Sequence, residues 1–287
     1  MNRAASWSWH AHALSPATIG RAATLALHDE LVLSPKPGLV TLVDNGSHQD
    51  MDAHTFMRSL FSLRHYFVQI AEAGQAGASF GELERLGIAA ETRMLAATRG
   101  VNTHRGAIFM LGLLSAAAGA GTREHAGPLQ AAQVRAALLA HWGSALRDRT
   151  HRVSTHPGGL ATRRLGLRGA SEEAALGFPV LFDVAVPTLL QRLAGGMPAP
   201  LARLDTLFQV MAVLDDSNLV HRGGMDGLRH AQNLARRFND KGGAGSPDAL
   251  AQVSLIANDF VARRLSPGGA ADMLAAACWI VRLGACQ

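Results

Sequence analysis

Apolar residues recur every three or four positions along nearly the whole chain, as in Phe56, Leu60, Leu63, Phe67 and Ile70. That spacing places them on one stripe of an α-helix. The alternating β-branched runs that would build half-buried strands are missing, and Ala, Leu and Gly dominate. With 48% apolar and only 17% charged residues among 287, the chain is not disordered. The expectation is therefore all-α, a single globular multi-helix domain of about ten helices over residues 16–287, after a flexible N-terminal segment at 1–15. The spacing predicts helices over Pro16–Leu33, Asp52–Ala73, Phe80–Ala97, Thr103–Ala118, Gln130–Leu146, Ser171–Leu193, Leu201–Leu214, Met225–Phe238, Pro247–Leu265 and Ala270–Leu283. Start signals support several of them: Ser15 before Pro16, Asp52, Ser79 with Glu82 three later, Ser171, and Ser246 before Pro247. The glycines at 195–196 and 242–245 read as loops or helix ends.

The formal charge is +5 and the isoelectric point about 10.2, which points to anionic partners. Basic residues are scattered rather than clustered, and aromatic residues do not alternate with them as base-stacking platforms require. A phosphorylated small molecule fits better than nucleic acid. Cys278 and Cys286 match neither a zinc knuckle nor a redox pair, so a reduced, cytoplasmic protein is expected. Met1–Ser15 holds no continuous apolar run of the signal-peptide kind. The apolar stretch from Gly106 to Gly121 falls short of a membrane span and reads as a buried helix.

Chemistry concentrates where helices end. In Ser34-Pro-Lys-Pro-Gly-Leu-Val40 two prolines brace Lys36, one of only two lysines beside Lys241. It is either a functional ammonium or a helix stop with a solvated lysine. The following run holds Asp44, His48, Asp50 and Asp52; Asp52 suits an N-cap, whereas Asp50 could meet a hard cation such as Mg²⁺. Asn102-Thr-His104-Arg105 opens an apolar helix with cations in its first turn, against the helix dipole. That fits an anion pocket, the alternative being a plain cap with surface cations. Asp215 and Asp216 adjoin at a helix end, where their repulsion calls for a cation or a proton, or for an internal Asp–Arg pair. Arg222 beside Gly223 and Gly224 lets a guanidinium and backbone amides approach phosphate. Ser266-Pro-Gly268-Gly269 opens the last helix, with Asp272 in its first turn, a place the dipole alone would explain.

Eight segments occur in an order that resembles one family: Ser34–Val40, Gly46–Met51, Val101–Gly106, Gly166–Ala170, Gly177–Pro179, Asp216–Asn218, His221–Gly224, and Leu265–Gly269 with Asp272. The chain resembles the triphosphoribosyl-dephospho-CoA synthases from roughly Leu25 to Ala276. The resemblance implies an enzyme that moves the triphosphoribosyl group of ATP to 3'-dephospho-CoA and releases adenine. Its product would be the prosthetic-group precursor for the acyl-carrier subunit of malonate decarboxylase or citrate lyase. The Gly-Ser-His and His-Arg-Gly-Gly spellings lie closer to the malonate decarboxylase branch. A downstream transfer enzyme and that acyl-carrier subunit would be indirect partners, nucleic acid and membrane would not, and a homodimer is allowed. Thr41 departs from the family, many of whose members have aspartate after Gly-Leu-Val; Asp44 or Asp50 would have to substitute.

Breaking the bond from ribose C1′ to adenine builds positive charge on the sugar, so a nearby carboxylate, a base for the incoming hydroxyl and a proton donor for adenine are all useful. The expected catalytic residues are Asp216, His104 and Asp215, with Asp216 or His104 as base. Lys36, Asn102, Arg105, Arg168, Asn218, His221, Arg222, Gly223, Gly224, Ser266, Gly268 and Gly269 are expected at substrate and phosphate. Asp50, Asp215, Asp216 and Asp272 are expected to hold Mg²⁺ with ATP. Two rivals stay open, an ADP-ribosyl glycohydrolase-like Mg-dependent hydrolase and a basic nucleic-acid-binding helical protein. Paired Asp215 and Asp216 count against the latter, since they would repel phosphate.

Overall fold

The computed structural model describes residues 14–125, 127–152 and 157–284, so Cys286 and residues 1–13 of the expected N-terminal segment lie outside the described residues. Among the described residues twelve α-helices follow one another: α1 (Pro16–Leu31), α2 (Ala53–Gln75), α3 (Phe80–Ala97), α4 (Arg105–Glu124), α5 (Ala131–Thr150), α6 (Pro157–Arg164), α7 (Ala170–Ala175), α8 (Val186–Ala194), α9 (Ala199–Met211), α10 (Ser217–Asp240), α11 (Ala249–Ala262) and α12 (Gly268–Gly284). A π-helical turn, Val180–Ala185, leads into α8, and no strand occurs among the described residues. The fold is all-α, as the spacing predicts.

Small residues bring the central helices together. A Cβ on Gly119 would stand 2.0 Å from Ala71 O, and one on Gly74 would stand 2.0 Å from Ala116 O, so the backbones of α2 and α4 nearly touch. α4 is long and apolar enough to cross a membrane by length and composition alone, but 78% of that window is buried inside the protein. Its Ala, Leu and Gly faces are covered by α1, α2, α3, α5 and α12. α12 packs on α1, α4 and α9, and the buried Asp29 carboxylate of α1 pins it there by pairing with Arg203 of α9 and Arg282 of α12. This arrangement turns the N-terminal end of α12 toward that of α4.

The predicted helix over Ser171–Leu193 is broken into three pieces. Gly177 and Phe178 both take left-handed φ, 72° and 52°, and Pro179 then starts the π-helical turn. Full burial of the Phe178 ring holds this break in place. The helix predicted over Met225–Phe238 starts earlier, at Ser217, and passes through a kink at Gly224 (φ 61°, ψ −159°), a conformation glycine tolerates. The spacing predicts no helix where α6 lies, and α4 and α5 run on beyond the predicted ends.

Candidate active site

Three helix N-termini meet at two aspartates. Asp216 caps α10: its Oδ1 accepts the N–H of Asn218 at 2.8 Å and of Leu219 at 3.3 Å. Its Oδ2 accepts the Ala270 N–H at 2.9 Å, and the Gly269 N–H also bonds the carboxylate, so the same side chain caps α12. Burial pushes the Asp216 carboxyl up, against the pull of those four N–H groups. Asp272, the fifth residue of α12 and so just past its first turn because the helix starts at Gly268 rather than at the predicted Ala270, reaches the third terminus by accepting the Ala107 N–H of α4. A Cβ on Gly106 would fall 2.0 Å from Asp272 Oδ2, so only glycine lets the carboxyl lie there. Burial, then the charges of Glu30 and Asp216, hold the Asp272 carboxyl well above the usual carboxylate range.

Lys36 enters from the Pro-braced loop and is buried, 2% exposed. Its Nζ donates to Glu30 Oε1 at 2.5 Å and to Glu30 O at 2.6 Å, which leaves one of its three N–H bonds uncommitted. His104, the N-cap residue of α4, is also buried. Its Nδ1 lies 2.6 Å from Ser59 Oγ, its ring packs edge-on against Phe56, and its buried Nε2 has no hydrogen-bond partner. Burial first, and the Lys36 charge second, lower the His104 imidazole to about 3.

Segments distant in sequence form the adjoining wall. A Cβ on Gly38 would stand 2.1 Å from Leu265 O, and Ser47 Oγ donates to Phe260 O at 3.1 Å. Arg222 donates to the carbonyls of Ser47 and Arg264, both at 3.2 Å, and to His48 Nδ1 at 3.0 Å. His48 Nε2 therefore carries the proton and donates to Ser266 Oγ at 2.9 Å. Burial, then the Arg222 charge, lower His48 to about 4, opposed by Asp50.

Lys36, His104, Asp216, Gly269 and Asp272 thus come together, with Arg222, Ser266 and Gly268 beside them. The other expected residues have separate surroundings. Asp215 turns away from its neighbour and accepts the Arg168 N–H at 3.1 Å, while the Arg168 guanidinium pairs with Glu173 at 3.6 Å. Arg105 pairs with Glu91 of α3 at 2.5 Å, and Asn102 caps its N–H at 3.2 Å. Asn218 and His221 are exposed, and a Cβ on Gly268 would stand 2.7 Å from Asn218 Nδ2. Gly223 lies against Leu265, Gly224 makes the kink, and exposed Asp50 lies 3.8 Å from His48. Thr41 Oγ1 bonds Asp44 Oδ2 at 3.1 Å, so a carboxylate does stand beside the position where the sequence departs from the family. Among the described residues, no three His, Cys, Asp or Glu side chains group as a ready metal cage.

Glu30, Ser59 and Glu91 lie outside the sequence motifs yet contact site residues. Glu30 did leave a signal, since it occupies the apolar stripe Ile19, Ala23, Ala26, Leu27 of α1, where an acid is unexpected. Ser59 and Glu91 are ordinary in a helical pattern and become notable only through His104 and Arg105.

Residues 16–287 match the family described as ATP:dephospho-CoA triphosphoribosyl transferase. A 2-(5''-triphosphoribosyl)-3'-dephosphocoenzyme-A synthase of Pectobacterium atrosepticum is 40% identical over 263 residues, covering 87% of this chain and 84% of that protein. Proteins described as probable synthases of the same kind are 38% identical in Acinetobacter calcoaceticus (91% of this chain, 89% of that protein) and 41% in Pseudomonas aeruginosa (91% and 88%). No solved structure matches the chain.

Proposed function

The chain belongs to the ATP:dephospho-CoA triphosphoribosyl transferase family, and on that premise we propose that the junction of α4, α10 and α12 is where its reaction takes place. The enzyme is a transferase that moves the triphosphoribosyl group of ATP to 3'-dephospho-CoA with release of adenine. One observation carries the siting: three helix N-termini, a buried lysine, a buried histidine and two carboxylates converge on a single spot. Positive helix ends and the remaining Lys36 N–H suit phosphate oxygens, and carboxylates suit the positive charge that grows at C1′ as adenine leaves.

The two aspartates divide the work. A carboxylate has about four lone-pair positions, and those of Asp216 are taken by the N–H groups of Asn218, Leu219, Gly269 and Ala270. Asp216 is then a fixed negative pin between α10 and α12. Asp272 accepts one backbone N–H and keeps oxygens free, and its raised affinity for a proton suits a general base toward the incoming ribose hydroxyl. Arg222 holds the wall of Ser47 and His48 rigid beside Ser266.

Magnesium would arrive with ATP. Mg²⁺ is commonly held by one or two carboxylates plus substrate phosphate oxygens, and exposed Asp50, beside the Arg222–His48 pair, is a carboxylate this chain can offer. Bound there, it would neutralise triphosphate charge. The Gly46-Ser-His48 and His221-Arg-Gly-Gly224 spellings support a role in the malonate decarboxylase branch, and a cysteine pattern that fits neither a zinc knuckle nor a redox pair supports a place in the cytoplasm.

Adenine release from ATP plus dephospho-CoA tests the division. Asp272→Asn should lower the rate at least about a hundredfold, the usual scale for a lost acid–base group. A rate within a few-fold of wild type in folded Asp272→Asn would refute the assignment.

A further inference from the structure

We propose that His104 acts in the transfer as a neutral hydrogen-bond donor through Nε2–H, its tautomer fixed by a hydroxyl relay from Thr103 through Ser59. The inference rests on the siting of the reaction given above. The relay has one consistent direction. Thr103 Oγ1 donates to Ser59 Oγ at 2.7 Å, so the Ser59 hydrogen is free to point elsewhere, and His104 Nδ1 waits 2.6 Å away. Thr103 Oγ1 also lies 3.2 Å from Met94 Sδ, but a thioether is the weaker acceptor and is already met by the Thr103 N–H at 3.4 Å. With Ser59 donating to Nδ1, a neutral imidazole must carry its hydrogen on Nε2. The hydrogen-bond network thus sets the tautomer.

The surroundings keep the ring neutral. His104 is 3% exposed, stands at the positive end of α4, and is faced by the ammonium of Lys36. Its Nε2 is the one buried polar atom of this group of residues without a partner, and an orphaned donor in a buried site is costly unless a ligand atom meets it. An acceptor atom of the bound nucleotide, whether on the phosphate or on the leaving adenine, supplies that partner. The hydrogen stays on Nε2 throughout, so the hydroxyl proton passes to Asp272 as the new C1′–O bond forms and from there to the adenine released as the C1′–N bond breaks, which restores the carboxylate. Ser59, an ordinary helical serine in the sequence, and Thr103, a candidate cap there, are positioning residues. Neutral imidazole is also the better choice beside a sugar that is becoming positive, because imidazolium would repel it.

Long-range ¹H–¹⁵N spectra of histidine-labelled wild-type protein test this without reference to activity. His104 is assigned by the signal that vanishes in His104→Gln. The expected pattern at pH 7.5 is Nε2–H, changing toward mixed tautomers in Ser59→Ala. An Nδ1–H or imidazolium pattern in the wild type would overturn the proposal. Adenine release supplies the second measurement. His104→Gln, whose amide N–H reaches nearly as far as Nε2, should stay within about tenfold of wild type, while His104→Leu should lose on the order of a hundredfold, the scale of one lost donor. Folded Gln and Leu variants equally inactive would also overturn it. Full activity in His104→Leu would instead overturn the siting of the reaction, whatever the tautomer.

Discussion

Replacing Lys36 with methionine should uncouple what this residue does for the fold from what it does for the reaction. Lys36 and Glu30 form an ion pair whose side chains are 1% and 7% exposed, and Lys36 makes two hydrogen bonds to that one glutamate. Methionine roughly preserves the buried stem but leaves the Glu30 carboxylate uncompensated. Removing one member of a buried pair costs about 3–5 kcal/mol, a large part of the roughly 5–15 kcal/mol that holds a domain together. Urea unfolding followed by circular dichroism reads this directly. Because salt screens buried pairs poorly, the loss should be nearly the same at low and at high ionic strength. In Lys36→Met with Glu30→Gln no charge is stranded, so the double variant should recover all but about 1–2 kcal/mol. Recovery of stability should not restore adenine release, since the phosphate would still lack the third N–H of Lys36. A single-variant loss below about 1 kcal/mol, the surface-pair scale, would refute the buried-pair reasoning, as would a double variant no more stable than Lys36→Met.

Asp272→Asn should unfold at higher urea than wild type near neutral pH. The folded carboxyl is raised above its unfolded value, so its ionised form costs stability above the unfolded pKa, and the advantage of the variant should shrink as pH falls through the folded pKa toward about 4. His104 has the opposite sense: its folded pKa, about 3, lies below the ordinary 6.5, so wild-type stability should fall as pH drops below 6.5, and His104→Gln should show a shallower decline. Gly106→Ala would thrust a methyl group into Asp272 Oδ2, and displacing the carboxyl should cut adenine release at least about tenfold, the effect of a misplaced catalytic group, with the helical circular dichroism unchanged.

Much of the helical order is readable because an apolar stripe recurs through each long helix and caps mark several starts, as Ser15, Asp52 and Ser79 do. The piece around Gly177–Pro179 is not, because a buried Phe178 in left-handed backbone is a tertiary demand that local spacing does not contain. The site is partly legible for a similar reason. Lys36, His104, Asp216 and Asp272 stand out as polar groups where helices begin or loops tighten, and the fold brings them together. Adjacency in sequence misleads for Asp215 and Asp216, since one turns outward to the Arg168 backbone and the other inward to two helix ends. Arg105 offers a further instance, for its guanidinium meets Glu91 of α3, a partner that only packing supplies. Ser59 is the extreme case, an unremarkable helical serine until the Thr103–His104 turn settles on it.

The siting of the reaction at the meeting point of α4, α10 and α12 is tested most directly by mass spectrometry of one mixture, ATP, Mg²⁺ and 3'-dephospho-CoA, with wild type and Asp272→Asn side by side. Wild type should yield adenine and the triphosphoribosyl adduct in equal amounts, and folded Asp272→Asn should yield neither above background. Adduct formed by Asp272→Asn at the wild-type rate would contradict the account.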